Sequence, residues 1–190
     1  MNVSPYSALS RKARAAAVLV CLAALTACGG RPAEGAGAGS AAPTTRFSEN
    51  GVTVVLSVSA WKGSQGTLTA VFTPEEEGFH LYSTDLPATG VDGVGRPTTV
   101  AVDGALTAQG GLKAGAEVRS IRVPGVDSPL PVYPDGPVTT TLPVRADGNG
   151  DARVLVGYAS CSAEEGCTIP VADRPVRLRV TADGPVFEAP

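Results

Sequence analysis

The stretch Tyr158-Ala-Ser-Cys-Ser-Ala-Glu-Glu-Gly-Cys-Thr-Ile-Pro170 places two thiols, Cys161 and Cys167, with five residues between them. Thiols at this spacing can close on each other. The chain entropy removed by so small a ring is worth only about 2–2.5 kcal/mol, nearly half of what a ring of roughly 100 residues gives. A bridge kept for stability gains more by joining distant strands, so a local pair invites thiol–disulfide exchange as its chemistry. A nucleophilic thiol must be a thiolate, and helix N-termini or nearby cations are what lower its pKa. Here Glu164 and Glu165 lie between the cysteines instead. That predicts thiols sluggish toward small oxidants, and exchange that depends on a docked partner. A local structural disulfide is the other reading of the same residues, and the spacing alone leaves both open.

Other chemistries lack their residues. His80 is the only histidine, and it sits in Gly78-Phe-His-Leu-Tyr82, which reads as strand rather than as a catalytic loop. No serine lies in a nucleophile-elbow context. A structural zinc site wants four ligands, and two cysteines with one distant histidine leave it short. Copper(I) would find two thiolates but only the initiator methionine. The glycines fall at turns rather than in a phosphate-binding loop, and Glu75-Glu76-Glu77 reads as a solvated turn. Neither a metal nor an organic cofactor is expected. Trp61, Phe72, Phe79 and Tyr82 read as core or strand residues.

The remaining cysteines, Cys21 and Cys28, belong to the N-terminus. Arg11, Lys12 and Arg14 precede an apolar run, Ala15 to Leu25, too short for a spanning helix. It ends in Leu25-Thr26-Ala27-Cys28, which resembles a bacterial lipobox. Residues 1–27 are then a signal, and Cys28 becomes a lipidated first residue that anchors the protein to the outer face of the cell membrane. A plain secretory signal cut after Ala27 is the alternative. Either route exports the chain to a compartment where disulfides persist. Loss of the three basic residues of the signal leaves 12 Lys and Arg against 18 Asp and Glu, a charge of −6. Such a surface has no basic patch for nucleic acid. Residues 28–45 are Gly, Ala, Pro and Ser-rich and read as a flexible tether spanning roughly 20–25 Å.

From residue 46 to 190 the pattern is that of strands in one domain. Val52, Val54, Leu56 and Val58 alternate with Thr53, Val55, Ser57 and Ser59; Leu68, Ala70 and Phe72 alternate with Thr67, Thr69 and Val71, and Val176, Leu178 and Val180 with Arg177, Arg179 and Thr181. Further strands are expected at Phe79–Ser83, Thr98–Val102, Glu117–Val123, Val138–Val144 and Arg153–Tyr158. Ala146-Asp-Gly-Asn-Gly150 between two of them reads as a hairpin turn. No segment has a helical period. Short strands at this spacing argue for an all-β, immunoglobulin-like antiparallel sandwich.

The C-terminal half resembles the N-terminal, periplasmic domain of the thiol:disulfide interchange protein DsbD. The residues that carry the resemblance are Val132-Tyr-Pro-Asp135, Thr139-Thr-Thr-Leu-Pro-Val144, and Val156-Gly-Tyr-Ala-Ser-Cys161. After these come the five-residue spacer, Gly166-Cys167, Pro170 and the strand Val176–Val180. A second match joins Gly78-Phe-His-Leu-Tyr-Ser83 with Gly95-Arg-Pro-Thr98, and together they cover most of the chain after the tether. The resemblance implies a sandwich with an inserted cysteine-bearing hairpin that passes electrons by thiol exchange. By position, Cys167 would form the intermolecular disulfide and Cys161 would resolve it. The implied partners are thioredoxin-like exported proteins, cytochrome c maturation factors, and a membrane electron transporter acting in trans. In the family an acidic, aromatic cap loop shields the cysteines. The matching stretch here, Val123-Pro-Gly-Val-Asp-Ser-Pro-Leu130, has no aromatic, so Val126 or Leu130 is left to cover the sulfurs, with Tyr158 preceding the first cysteine. The rival from another class is a non-catalytic immunoglobulin-like binding lipoprotein whose Cys161–Cys167 bridge pins a hairpin.

Overall fold

The computed structural model describes residues 42–189; the signal, Cys28 and most of the tether lie outside the described residues. Among the described residues there is no helix. In chain order the strands are β1 (Thr44–Glu49), β2 (Val52–Lys62), β3 (Gln65–Pro74), β4 (His80–Leu81), β5 (Thr99–Gly104), β6 (Leu106–Ala108), β7 (Lys113–Ala114) and β8 (Arg119–Ile121). They continue with β9 (Leu130–Val132), β10 (Val138–Ala146), β11 (Gly150–Tyr158), β12 (Ser160–Ser162), β13 (Gly166–Cys167), β14 (Val171–Thr181) and β15 (Gly184–Phe187).

The long strands form where apolar and polar side chains alternate, because successive residues of an extended chain point to opposite faces. In β2 the buried set is Val52, Val54, Leu56 and Val58; in β3 it is Leu68, Ala70 and Phe72; in β10 it includes Val138, Leu142 and Val144. Register aligns these sets in rows. Val54, Phe72 and Val138 form one row, Leu56, Ala70 and Thr140 the next, and Val58, Leu68 and Leu142 a third. Thr140 is the polar member. Its buried hydroxyl donates to the Ala70 carbonyl at 3.3 Å, which meets the requirement that a buried polar group be bonded.

One sheet has the order β1-β2-β3-β10-β6, with β7 also on β10; the other runs β15-β14-β11-β5. Val100, Ala152, Val154, Val156, Leu178 and Val180 of the second sheet share one core cluster with the buried residues of the first. Each large aliphatic side chain so removed from water contributes about 1.5–3 kcal/mol. The protein is thus the expected all-β antiparallel sandwich of immunoglobulin-like type.

The path of the chain differs from expectation in two places. Ala146-Asp-Gly-Asn-Gly150 reverses the chain but makes no hairpin, since β10 pairs with β3, β6 and β7 whereas β11 pairs with β14 and β5. Turn chemistry sets only the reversal. Burial of both inward faces then places the two strands in opposite sheets. Thr44 and Thr45, read from the sequence as tether, belong to β1, which pairs along β2 and buries only Phe47. A second crossing between sheets lies where β5 gives way to β6. There Gly104 has φ +74°, and a Cβ would stand 2.5 Å from the Asp151 carbonyl oxygen, so the crossing needs glycine.

A small sheet of order β13-β12-β4 and the ribbon β8–β9 add a second apolar cluster. Its members are Tyr82, Leu86, Leu130, Val132, Ala159 and Cys161, with Ile121, Val123, Val91 and Val94 packed against them. This cluster holds Cys161.

Candidate functional site

Cys161 and Cys167 are joined as a disulfide. They occupy directly opposed positions on β12 and β13, with Cα atoms 4.0 Å apart. The intervening Ser162–Gly166 is a tight turn. Gly166 closes it with φ +88°, a conformation costly for other residues, and the Ser162 hydroxyl accepts the Glu164 amide at 3.2 Å. Beyond the turn, the Thr168 amide donates to the Ser160 carbonyl at 2.8 Å, which pins the returning leg.

The two sulfurs are not equivalent. Cys161 is 4% exposed and packs in the small cluster, whereas Cys167 is an exposed residue. Both line a groove of about 640 Å³, together with His80, Tyr82, Val123 and Asp135. Bonded sulfurs carry no proton, so the buried Tyr82 hydroxyl is the donor to Cys161 Sγ, at 3.1 Å. The same oxygen lies 3.8 Å from Cys167 Sγ. Burial pushes the Tyr82 pKa up from 10, which keeps that proton in place at neutral pH.

Local structure fixes the tyrosine. Its carbonyl accepts from the Thr98 hydroxyl at 2.7 Å and from the Thr98 amide at 3.3 Å. Gly95 lies against its ring, where a Cβ would come within 2.7 Å of Cε1. Gly78–Ser83 and Gly95–Thr98, two segments well apart in sequence, therefore meet at Tyr82.

His80, read from the sequence as distant from the cysteines, is the register partner of Cys161 across β4 and β12. Its Nδ1 faces Asp135 Oδ1 at 3.5 Å, while Nε2 is buried without a hydrogen-bond partner. Burial lowers the His80 pKa, and the Asp135 charge and hydrogen bond act against that shift.

The remaining residues named from the sequence divide. Leu130 is fully buried in the cluster that holds Cys161. Val126 is half-buried and belongs neither to that cluster nor to the groove lining. Ile121, Arg122, Val123 and Pro124 line the groove instead, because the β8 end of the β8–β9 ribbon reaches it before the loop tip does. Tyr158 lies in the main core. Its ring meets Phe72 at 5.7 Å and its hydroxyl donates to the Glu49 carbonyl at 2.8 Å. Burial, with a further contribution from Glu49, raises its pKa to about 12. Glu164 and Glu165 are exposed at the hairpin tip.

His80, Tyr82 and Asp135 were not identified as site residues from the sequence. The usable signal is parity: residues two apart on a strand share a face, so a histidine and a tyrosine in Phe79-His-Leu-Tyr82 project together. Among the described residues no group of three His, Cys, Asp or Glu side chains is placed to hold a metal ion.

An all-β sandwich bearing a disulfide hairpin in a groove is the class of domain that fold and site define. No family model matches the chain. No curated protein matches it. Among solved structures it is similar to the N-terminal domain of DsbD from Neisseria meningitidis in the reduced form. That similarity has a TM-score of 0.43 and 14% identity, over 72% of this chain and 90% of that one.

Proposed function

We propose that this chain is an extracytoplasmic thiol–disulfide exchange protein, anchored by lipid on Cys28. It relays electrons between a membrane or thioredoxin-like donor and exported disulfide proteins or cytochrome c maturation factors. One observation carries the reading: a short-range disulfide whose Cys167 is exposed while Cys161 is buried against a tyrosine hydroxyl. Exchange requires in-line access to one sulfur and a stabilised leaving group at the other.

In the reducing direction a partner thiolate attacks Cys167 Sγ. The Cys161–Cys167 bond breaks as the new sulfur–sulfur bond forms, and its electron pair leaves on Cys161 Sγ, where the Tyr82 hydroxyl can donate to the thiolate. A second thiolate of the partner then attacks the partner's own sulfur in the mixed disulfide. This releases Cys167 as thiolate and leaves the partner oxidised. Two electrons have moved, and both cysteines end as thiols after protonation.

The rival, a binding lipoprotein with a structural bridge, is separated by reduction potential. A value near or above about −230 mV fits exchange, whereas structural bridges of secreted proteins lie below about −300 mV. In cells, Cys161→Ser should accumulate mixed disulfides at Cys167. A low potential together with no trapped partner would leave only the structural role.

A further inference from the structure

His80 plays no part in the exchange as written above, yet its position is unusual for a packing residue. It is the only histidine of the chain, it is 8% exposed, and it is paired in register with Cys161, which is paired in register with Cys167. Directly opposed residues on antiparallel neighbours project to one face, with Cβ atoms roughly 4.5–5.5 Å apart. Imidazole, inner sulfur and outer sulfur therefore form one row across β4, β12 and β13. Tyr82, two residues on from His80, projects beside that row, and its hydroxyl reaches Cys161 Sγ. Asp135 holds Nδ1, while Nε2 is buried without a partner.

A nitrogen left unpaired while the disulfide is closed gains a partner if opening the bond creates a thiol beside it. We propose that His80 is the proton acceptor and donor for Cys161, with Asp135 orienting the ring and Tyr82 holding the sulfur. The inference rests on the exchange reading and deepens it.

The step balances. When a mixed disulfide at Cys167 resolves, neutral imidazole takes the proton of the Cys161 thiol. The thiolate attacks Cys167 Sγ, the Cys161–Cys167 bond forms, and the partner leaves as thiolate. In the opposite direction a partner thiolate bonds to Cys167 Sγ as the Cys161–Cys167 bond breaks, and His80, first protonated from solvent, gives its Nε2 proton to the departing Cys161 sulfur.

The groups that face the imidazole are compatible with this role. Asp135 favours the imidazolium, the Tyr82 phenol is neutral, and Arg122 is the one cation among the residues lining the groove. Glu75, Glu76 and Glu77 line a separate groove on the other side of Asp135. Burial holds His80 below its usual pKa, so at pH 7 it is ready to accept a proton.

A single histidine makes the test direct, provided that the full chain carries no added histidine tag. The one imidazole signal is followed by NMR through pH 4.5–8 in three proteins: oxidised, chemically reduced, and reduced Cys161→Ala. We expect the midpoint in the reduced protein to differ from the other two by about one pH unit, the size at which two sites titrate as a coupled pair. Identical midpoints in all three would overturn the proposal. In parallel, resolution of a preformed mixed disulfide between Cys167 and glutathione is timed against pH in the wild type and in His80→Phe. Loss of roughly a hundredfold in rate at pH 7, with loss of the ionisation near His80, is expected of a general base; an unchanged profile overturns it. The NMR titration needs no protein partner, so it answers even if the exchange reading itself fails on reduction potential.

Discussion

Tyr82→Phe removes one oxygen and keeps the ring that Gly95 and the small cluster pack against, so its effect should be confined to the sulfurs. The lost contact is the 3.1 Å hydrogen bond to Cys161 Sγ. A neutral disulfide sulfur accepts hydrogen bonds weakly, whereas a hydrogen bond to a charged group is worth about 1.5–3 kcal/mol. The difference, about 2 kcal/mol, applies to the thiolate that departs when Cys167 is attacked. With roughly half of the charge developed in the transition state, the barrier rises by about 1 kcal/mol, a slowing of about fivefold. The assay is single-turnover reduction of the oxidised protein by excess dithiothreitol below pH 8, with alkylated cysteines counted by mass. The equilibrium unfolding midpoint of the oxidised variant should remain close to wild type. A rate within experimental scatter of wild type would refute the assignment of Tyr82 as stabiliser of the leaving sulfur. A fall in rate accompanied by an equal loss of fold stability would refute it as well, because the oxygen would then be serving structure.

Other outcomes follow from the same geometry. Leu130→Ala should destabilise the domain by about 2–5 kcal/mol, as cavity-forming changes at fully buried leucines do, and should speed alkylation of Cys161 in the reduced protein; urea unfolding and timed iodoacetamide labelling check both. Gly95→Ala forces a Cβ to within 2.7 Å of the Tyr82 ring at φ +82°, so it should lower Tm and also slow reduction, because the tyrosine must move away from the sulfur. His80 supplies a pH dependence of stability. Its folded pKa lies below 6.5, so the unfolded chain binds the extra proton first, and the stabilising contribution of the neutral ring is complete above about pH 6.5. That contribution should decline as pH falls from there through the folded pKa, and the decline should be absent in His80→Gln when urea midpoints are compared across pH 4.5–8.

What could be read from the chain was what is encoded locally. The Cys161–Cys167 pairing depends on a five-residue turn, and the core of β2, β3 and β14 depends on alternation within each strand. Both survive translation into three dimensions because neither needs to know its neighbours. The site needed more than that. Cys161 meets His80 only because β12 adds to the edge of β4, and the preference of β12 for that edge is written in the burial of Ala159 and Cys161 against Leu130 and Val132 rather than in any motif. The same blindness to partners made a hairpin of the turn at Gly148 and a shield of Tyr158. Tyr158 ends a strand whose inward face continues into the main core, and a bulge between Val156 and Tyr158 adjusts the register before the chain turns toward the cysteines. Of the two residues expected to cover the sulfurs, Leu130 packs with Cys161 and Val126 does not. Val126 stands near the tip of its loop, and the residues that reach the groove are Ile121 and Val123, beside the paired stem. Cys161 is nonetheless not open to solvent, because Tyr82 and Leu130 are buried with it in one apolar cluster.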